Sequence, residues 1–200
     1  MNLKTIVRGI ALAAASLSLA ACGINSVPAA EESAKAKWAD VEAQFQRRAN
    51  LIPNLVEVAQ GAAQNERAIL TEVTEARARA TGINISADDL GDSAKVEEFA
   101  AAQSQLGAGL GRLLASFEAY PQITSNQNYL ALQSQLEGTE NRIAVAIRDY
   151  NEAVRQYNTT IRTFPDTIGA NIIHGAEPLV PYSAVTEGAE EAPQIDLTSN

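Results

Sequence analysis

Six side chains recur at intervals of seven: Tyr129, Leu136, Ile143, Tyr150, Tyr157 and Phe164. A flanking row carries Ile147, Val154 and Ile161. Apolar residues spaced this way fall on one stripe of an α-helix, and the stripe has to be buried against other helices. Two further stretches carry the same constraint. Trp38, Val41, Phe45, Ile52, Leu55, Ala59, Ala62, Ile69 and Val73 share one seam, and Val96, Phe99, Gln103, Leu106, Leu110, Leu113, Phe117 and Tyr120 share another. The expected fold is all-α: an antiparallel bundle in which the periodicity shows three long helices, with a short further segment at 166–174. Aromatics make up only 5% of the chain and alanine dominates its 46% apolar content, which suits closely packed helices.

Helix boundaries follow from turn and cap chemistry. The first helix is expected to start near Ala29 or Ala30 and to run to about Thr81, a rod of roughly 75 Å at 1.5 Å per residue. Pro53 lies inside it; lacking an N–H and crowding the carbonyl of Ala49, it is expected to kink or divide the helix. Asp88, Asp89 and Asp92 lie in a glycine-containing turn and are expected to cap helices, because their spacing lacks the register of a calcium loop. Gly107, Gly109 and Gly111 fall on a helical seam with no preceding strand, so they predict close approach by a neighbouring helix, not a phosphate cradle. Tyr120-Pro121 ends the second helix, Ser125 or Asn126 caps the third, and Pro165 ends it.

The N-terminus reads as an address. Lys4 and Arg8 precede an uncharged run from Gly9 to Ala21, which closes as Leu19-Ala20-Ala21-Cys22. A basic start, a short apolar core and small residues before a cleavage point are the pattern of a secretory signal peptide. The run is short of the about 20 residues that span a bilayer. Its ending fits a lipobox, in which the Cys22 thiol receives a diacylglycerol before cleavage leaves it as the first residue. Residues 1–21 are therefore expected to be a signal peptide, 22–29 a lipidated cysteine and tether, 30–176 the bundle, and 177–200 an acidic, proline-containing disordered tail. Gly23 lacks the Asp that commonly retains lipoproteins at an inner membrane. In a double-membraned bacterium this favours the outer membrane, facing the periplasm. The formal net charge of −9 argues against nucleic acid as a partner, since binding it needs a basic face.

Chemistry-bearing residues are scarce. Cys22 and His174 are the single cysteine and histidine of the chain, so neither a zinc constellation nor a His-based triad can be assembled. No catalytic residue, metal or cofactor is expected. The polar residues that stand out lie beside the seams: Arg47, Arg48 and Asn54 on the first helix, and the pairs Tyr150-Asn151 and Tyr157-Asn158, one heptad apart, on the third. Arg47, Arg48 and Asn54 form a candidate recognition patch. Asn151 or Asn158 is expected to pair across the bundle with the polar row Arg47, Asn50, Asn54 and Glu57 and so to fix helix register.

Two blocks carry a family resemblance. "WADVEAQFQRRANLIPNLVEVAQGAA" with "EVTEARARAT", and "YPQITSNQNYLALQSQLEGTENRIAVAIRDYNEAVRQYNTTIRTFP", resemble the LemA family over about residues 24–175. Ile24-Asn25 stands where many relatives have Tyr-Asn, and Asn50 where many have Asp. The resemblance implies a four-helix bundle at a bacterial envelope, and in one branch a role in magnetosome membranes; it implies no reaction and no ligand. The expected function is that of a non-enzymatic, membrane-anchored lipoprotein acting as a helical scaffold for unidentified envelope proteins. The alternative is a bundle that carries a small apolar or lipid-like ligand between its helices. Neither reading fixes the oligomeric state.

Overall fold

The computed structural model describes the backbone of residues 3–60 and 66–183, and side chains within 25–59 and 66–183. The side chain of Cys22, Ala62 and the tail expected to be disordered over 184–200 lie outside the described residues. The described elements are α1 (Leu3–Gln60), α2 (Arg67–Gly82), a 3-10 turn (Ala87–Gly91), α3 (Ser93–Phe117), a single turn α4 (Pro121–Thr124), α5 (Gln127–Thr160), and a short α6 (Asp166–Gly169) that runs into a π-helical turn (Ala170–His174). Among the described residues no helix is long and apolar enough to cross a membrane.

The fold is an all-α bundle whose four long helices alternate in direction. Arg48 meets Glu140 and Trp38 meets Tyr150, so α1 and α5 run antiparallel, and Ser26 of α1 meets Asp166 of α6. Arg112 pairs with Glu72 and Gln103 reaches Ala80, so α2 and α3 are antiparallel too. Phe45 and Arg48 reach Phe99 and Gln103, which sets α3 parallel to α1. Asp92 accepts from the amides of Ala94 and Lys95 to cap α3, and Asn126 accepts from Asn128 and Tyr129 to cap α5. Gly109 does lie under a neighbour: a Cβ there would sit 3.4 Å from Val73 Cγ2 of α2.

The expected single first helix is two helices, α1 and α2, and the boundary is not at Pro53. Pro53 lies exposed inside α1, and the carbonyl of Ala49, which it cannot bond, instead accepts from Arg77 Nε of α2 at 2.7 Å. The neighbouring helix replaces the lost hydrogen bond, so the helix continues. The start differs as well. α1 is already helical through the expected tether at 22–29, Pro28 included, because Val27 is fully buried there and Ser26 Oγ donates to Asp166 Oδ1 at 2.5 Å. Phe164, the last member of the seven-residue row, is 70% exposed, since α5 ends at Thr160 and the stripe does not extend past it.

The core falls into two apolar clusters. The lower one gathers Val27, Trp38, Val41 and Phe45 of α1 with Phe99 of α3 and Tyr150, Val154 and Tyr157 of α5. The upper one gathers Ile52 and Leu55 of α1, Leu70 and Val73 of α2, Leu106, Leu113 and Phe117 of α3, and Tyr129 and Leu136 of α5. Trp38 sits edge-on to Phe99 and Tyr150 at 5.5 and 5.1 Å between ring centroids, a favourable arrangement of the ring quadrupoles.

Candidate functional site

Between the two clusters lies a polar layer. Among the described residues, the polar side chains buried in the core are Arg48, Gln103 and Thr139, and all three fall at this level. Arg48 is 4% exposed. Its Nη2 donates to the Gln103 carbonyl at 3.0 Å and to Gln103 Oε1 at 2.6 Å, while Nη1 reaches Glu140 Oε1 at 3.3 Å. The guanidinium carbon also lies 5.0 Å from the centre of the Phe45 ring. Gln103 Nε2 donates onward to the Ala80 carbonyl at 3.3 Å, and Thr139 Oγ1 donates to Gln135 O at 2.7 Å. The layer thereby ties α1, α2, α3 and α5 at one height. Sliding any of these helices by a turn would leave a buried guanidinium without its acceptors, so the layer fixes register.

The patch expected from Arg47, Arg48 and Asn54 is not one surface. Arg48 points into the core, whereas Arg47 and Asn54 are exposed. Helical geometry separates them: residues 45, 48, 52 and 55 share the buried seam, and 47 and 54 sit on the outer face.

The two Tyr-Asn pairs do converge on one site, though not with the expected partner. Neither asparagine touches the polar row of α1. Both hold the extended segment that follows the π-helical turn, where Gly175 in the left-handed conformation (φ 56°) turns the chain back along α5. Asn158 Nδ2 donates to the Leu179 carbonyl at 2.8 Å and Asn158 Oδ1 accepts from the Leu179 amide at 2.9 Å. Asn151 does the same with Tyr182, at 2.9 and 2.8 Å. Each side-chain amide thus pairs with one residue's backbone as a neighbouring β-strand would. The hydroxyls of Tyr157 and Tyr150 donate to the carbonyls of Glu177 and Val180, at 3.0 and 2.8 Å. On the other side of the segment, the Val180 amide donates to Leu90 O at 2.9 Å.

The register of this ladder follows from two rises. Seven residues of helix, from residue 151 to 158, advance about 10.5 Å. Three residues of extended chain, from residue 179 to 182, advance about 9 to 10 Å. One heptad on α5 therefore matches three residues of the segment, which is the spacing of both the asparagine and the tyrosine contacts. A three-residue period also sorts the segment's own side chains: Leu179 and Tyr182 are buried, while Pro178 and Pro181, which have no N–H to satisfy, are exposed. The Tyr182 ring closes the lower cluster against Phe45 and Phe99, at 5.9 and 6.5 Å. Burial pushes its hydroxyl up to about 12 and lifts that of Tyr150 well above the usual phenol range.

Residues 177–183, expected to belong to a disordered tail, are therefore a strap built into the fold. Its prolines were legible only as breakers; the signal of a buried extended segment is Leu179 and Tyr182 at spacing three with Pro178 and Pro181 at the same spacing. Beside the strap, Asn151, Arg155, Asn158, Arg162 and Pro181 line a groove of about 480 Å³ that opens to solvent. A second open hollow of about 380 Å³ lies between α1 and α5 near Lys37 and Arg148.

No group of three or more metal-binding side chains occurs among the described residues. Glu137 and the neighbouring carboxylates of α5 lie on its exposed face. Asp88 and His174 are exposed as well, and Asp89 closes a local capping box with Ser86.

Magnetosome protein MamQ 2 of Paramagnetospirillum magneticum (strain AMB-1) is 30% identical over 148 residues, which is 64% of this chain and 53% of that protein. Magnetosome protein MamQ of Magnetospirillum gryphiswaldense (strain MSR-1) is 30% identical over 136 residues, covering 60% of this chain and 50% of the relative. The chain thus spans about half the length of these curated relatives. The LemA family pattern matches residues 37–197, taking in both Tyr-Asn pairs and the strap they hold, and the chain belongs to the LemA family.

Proposed function

We propose that this protein is a non-enzymatic lipoprotein of the bacterial cell envelope, anchored through Cys22 and serving as a rigid helical scaffold for envelope partners. Its bundle faces the periplasm, with the outer membrane favoured. The carrying observation is that the polar side chains capable of chemistry are spent on the fold itself: Arg48 on the central layer, and Tyr150, Asn151, Tyr157 and Asn158 on the strap. What remains for partners is outer surface. A bundle that carried an apolar ligand would need an apolar cavity between its helices. Here the lower and upper clusters fill that space, and the two hollows noted above are open and partly lined by charged residues. The relatives' designation as magnetosome proteins supports a part in an assembled bacterial structure.

The test is crosslinking of the native protein in fractionated membranes, with Cys22→Ala in parallel. Defined protein partners that disappear when anchoring is lost are the expected result. A lipid or small molecule that co-purifies at one copy per chain in both forms, with no protein retained, would overturn the scaffold reading.

A further inference from the structure

Among the described residues, six large apolar side chains are strongly exposed, and they are not scattered. Leu130 and Val145 stand alone on α5. Phe164, Ile168, Ile172 and Ile173 fall within one excursion of ten residues, exposed by 70, 47, 78 and 56%. Ile168 and Ile172 lie one turn apart on α6 and its π-helical continuation, and Phe164 stands in the turn just before α6. Single exposed apolar residues are ordinary, but a contiguous group is not.

The place of this group is defined. α5 descends to Thr160, α6 packs on α1 through the Ser26–Asp166 hydrogen bond and the buried Ala170, and Gly175 sends the chain back up as the strap. The excursion is therefore the lower end of the bundle. Ser26 is four residues above Cys22 on the same helix, a rise of about 6 Å. The exposed group thus lies level with the part of α1 that carries the acylation motif. From Phe164 to Ile173 the single ionisable group is Asp166, which accepts from Ser26.

We propose that Phe164, Ile168, Ile172 and Ile173 seat the lower end of the bundle in the interfacial layer of the membrane, as a second contact beside the acyl anchor. The acyl chains hold the protein near the bilayer; the seat fixes its tilt, so that α1 and α5 stand off the surface in one orientation. This inference rests on the anchored reading above. Apolar side chains at an interface enter about 5 to 10 Å, the depth of the boundary between headgroups and acyl chains.

The experiment uses the full-length lipoprotein in phosphatidylcholine vesicles, with Ile172→Cys labelled by an environment-sensitive nitrobenzoxadiazole and challenged with doxyl-labelled lipid or aqueous iodide. Leu130→Cys, exposed and apolar at the opposite end, is the control, and the parent chain gives the background from Cys22. The expected result is blue-shifted emission and quenching by doxyl lipid at position 172, with iodide quenching alone at 130. A label at Phe164→Cys should lose its lipid quenching when Ile172→Asp and Ile173→Asp are combined. If the protein floats with vesicles but position 172 behaves like 130, the seat is refuted and the anchor stands. Shielding from both quenchers would mean that protein covers the patch, which also refutes it. A chain that does not float with vesicles overturns both readings.

Discussion

Replacing Asn158 by alanine removes two hydrogen bonds at once, because its amide both donates to and accepts from the backbone of Leu179. At a net contribution of about 1 kcal/mol each, opening of the strap should become easier by about 2 kcal/mol. That is roughly a thirtyfold rise in the open population. The assay is native-state hydrogen exchange at the amides of Leu179, Val180 and Tyr182, each of which donates within the fold. Their protection should fall by about that factor, while amides of α3 around Leu106 keep theirs, because the upper cluster does not touch the strap. Asn158→Asp sharpens the test. It preserves size and the acceptor for the Leu179 amide, but at neutral pH it sets a carboxylate against the Leu179 carbonyl. Asn158→Asp should therefore be worse than Asn158→Ala at pH 7 and recover in acid, where a protonated carboxyl can donate again. Unchanged exchange at Leu179 in Asn158→Ala would refute the ladder, as would equal loss of protection across the whole bundle.

Three more outcomes are expected. Arg77→Ala should leave the Ala49 carbonyl without a donor and cost about 1 to 3 kcal/mol by urea unfolding. Adding Pro53→Ala, which restores the helical N–H, should recover most of that loss; additive effects would contradict the proposed replacement bond. Arg48→Ala should lower stability by roughly 2 to 4 kcal/mol, because Gln103 loses its partner inside the core. Glu140→Ala should cost under about 1 kcal/mol, since its side chain is 49% exposed; the reverse order of denaturation midpoints would count against the layer. The Tyr182 hydroxyl titrates near 10 when unfolded and near 12 when folded, so the protonated form is the one the fold favours. Stability should hold below pH 10 and fall as pH rises from 10 towards 12, and Tyr182→Phe should flatten that fall in urea midpoints taken across the window.

The apolar stripes were legible because burial demands periodicity: Trp38, Val41 and Phe45, like Phe99, Leu106 and Leu113, lie where their spacing puts them. Caps were legible too, since Asp92 and Asn126 act within their own turns. Three features were not, each for the same physical reason. Pro53 is tolerated only because Arg77, 24 residues later, supplies the missing donor. Arg48 reads like Arg47 until Gln103 and Glu140 are placed around it. Asn151 and Asn158 announce that they need partners, but the partners are backbone groups, which every residue carries and no sequence marks.

The strap also sets an order of events at birth. A chain lengthening from its N-terminus presents Trp38 and Phe45 long before Tyr182 exists to cover them, and Tyr150 to pair with Trp38 also comes late. At typical synthesis rates of about 5 to 20 residues per second, the wait between Phe45 and Tyr182 is roughly 7 to 27 seconds. During that time the nascent chain displays an aromatic stripe and cannot close it. A chain cut short before Leu179 would carry the same open stripe for good, marked for chaperones and proteases by the absence of its last turn of wrapping.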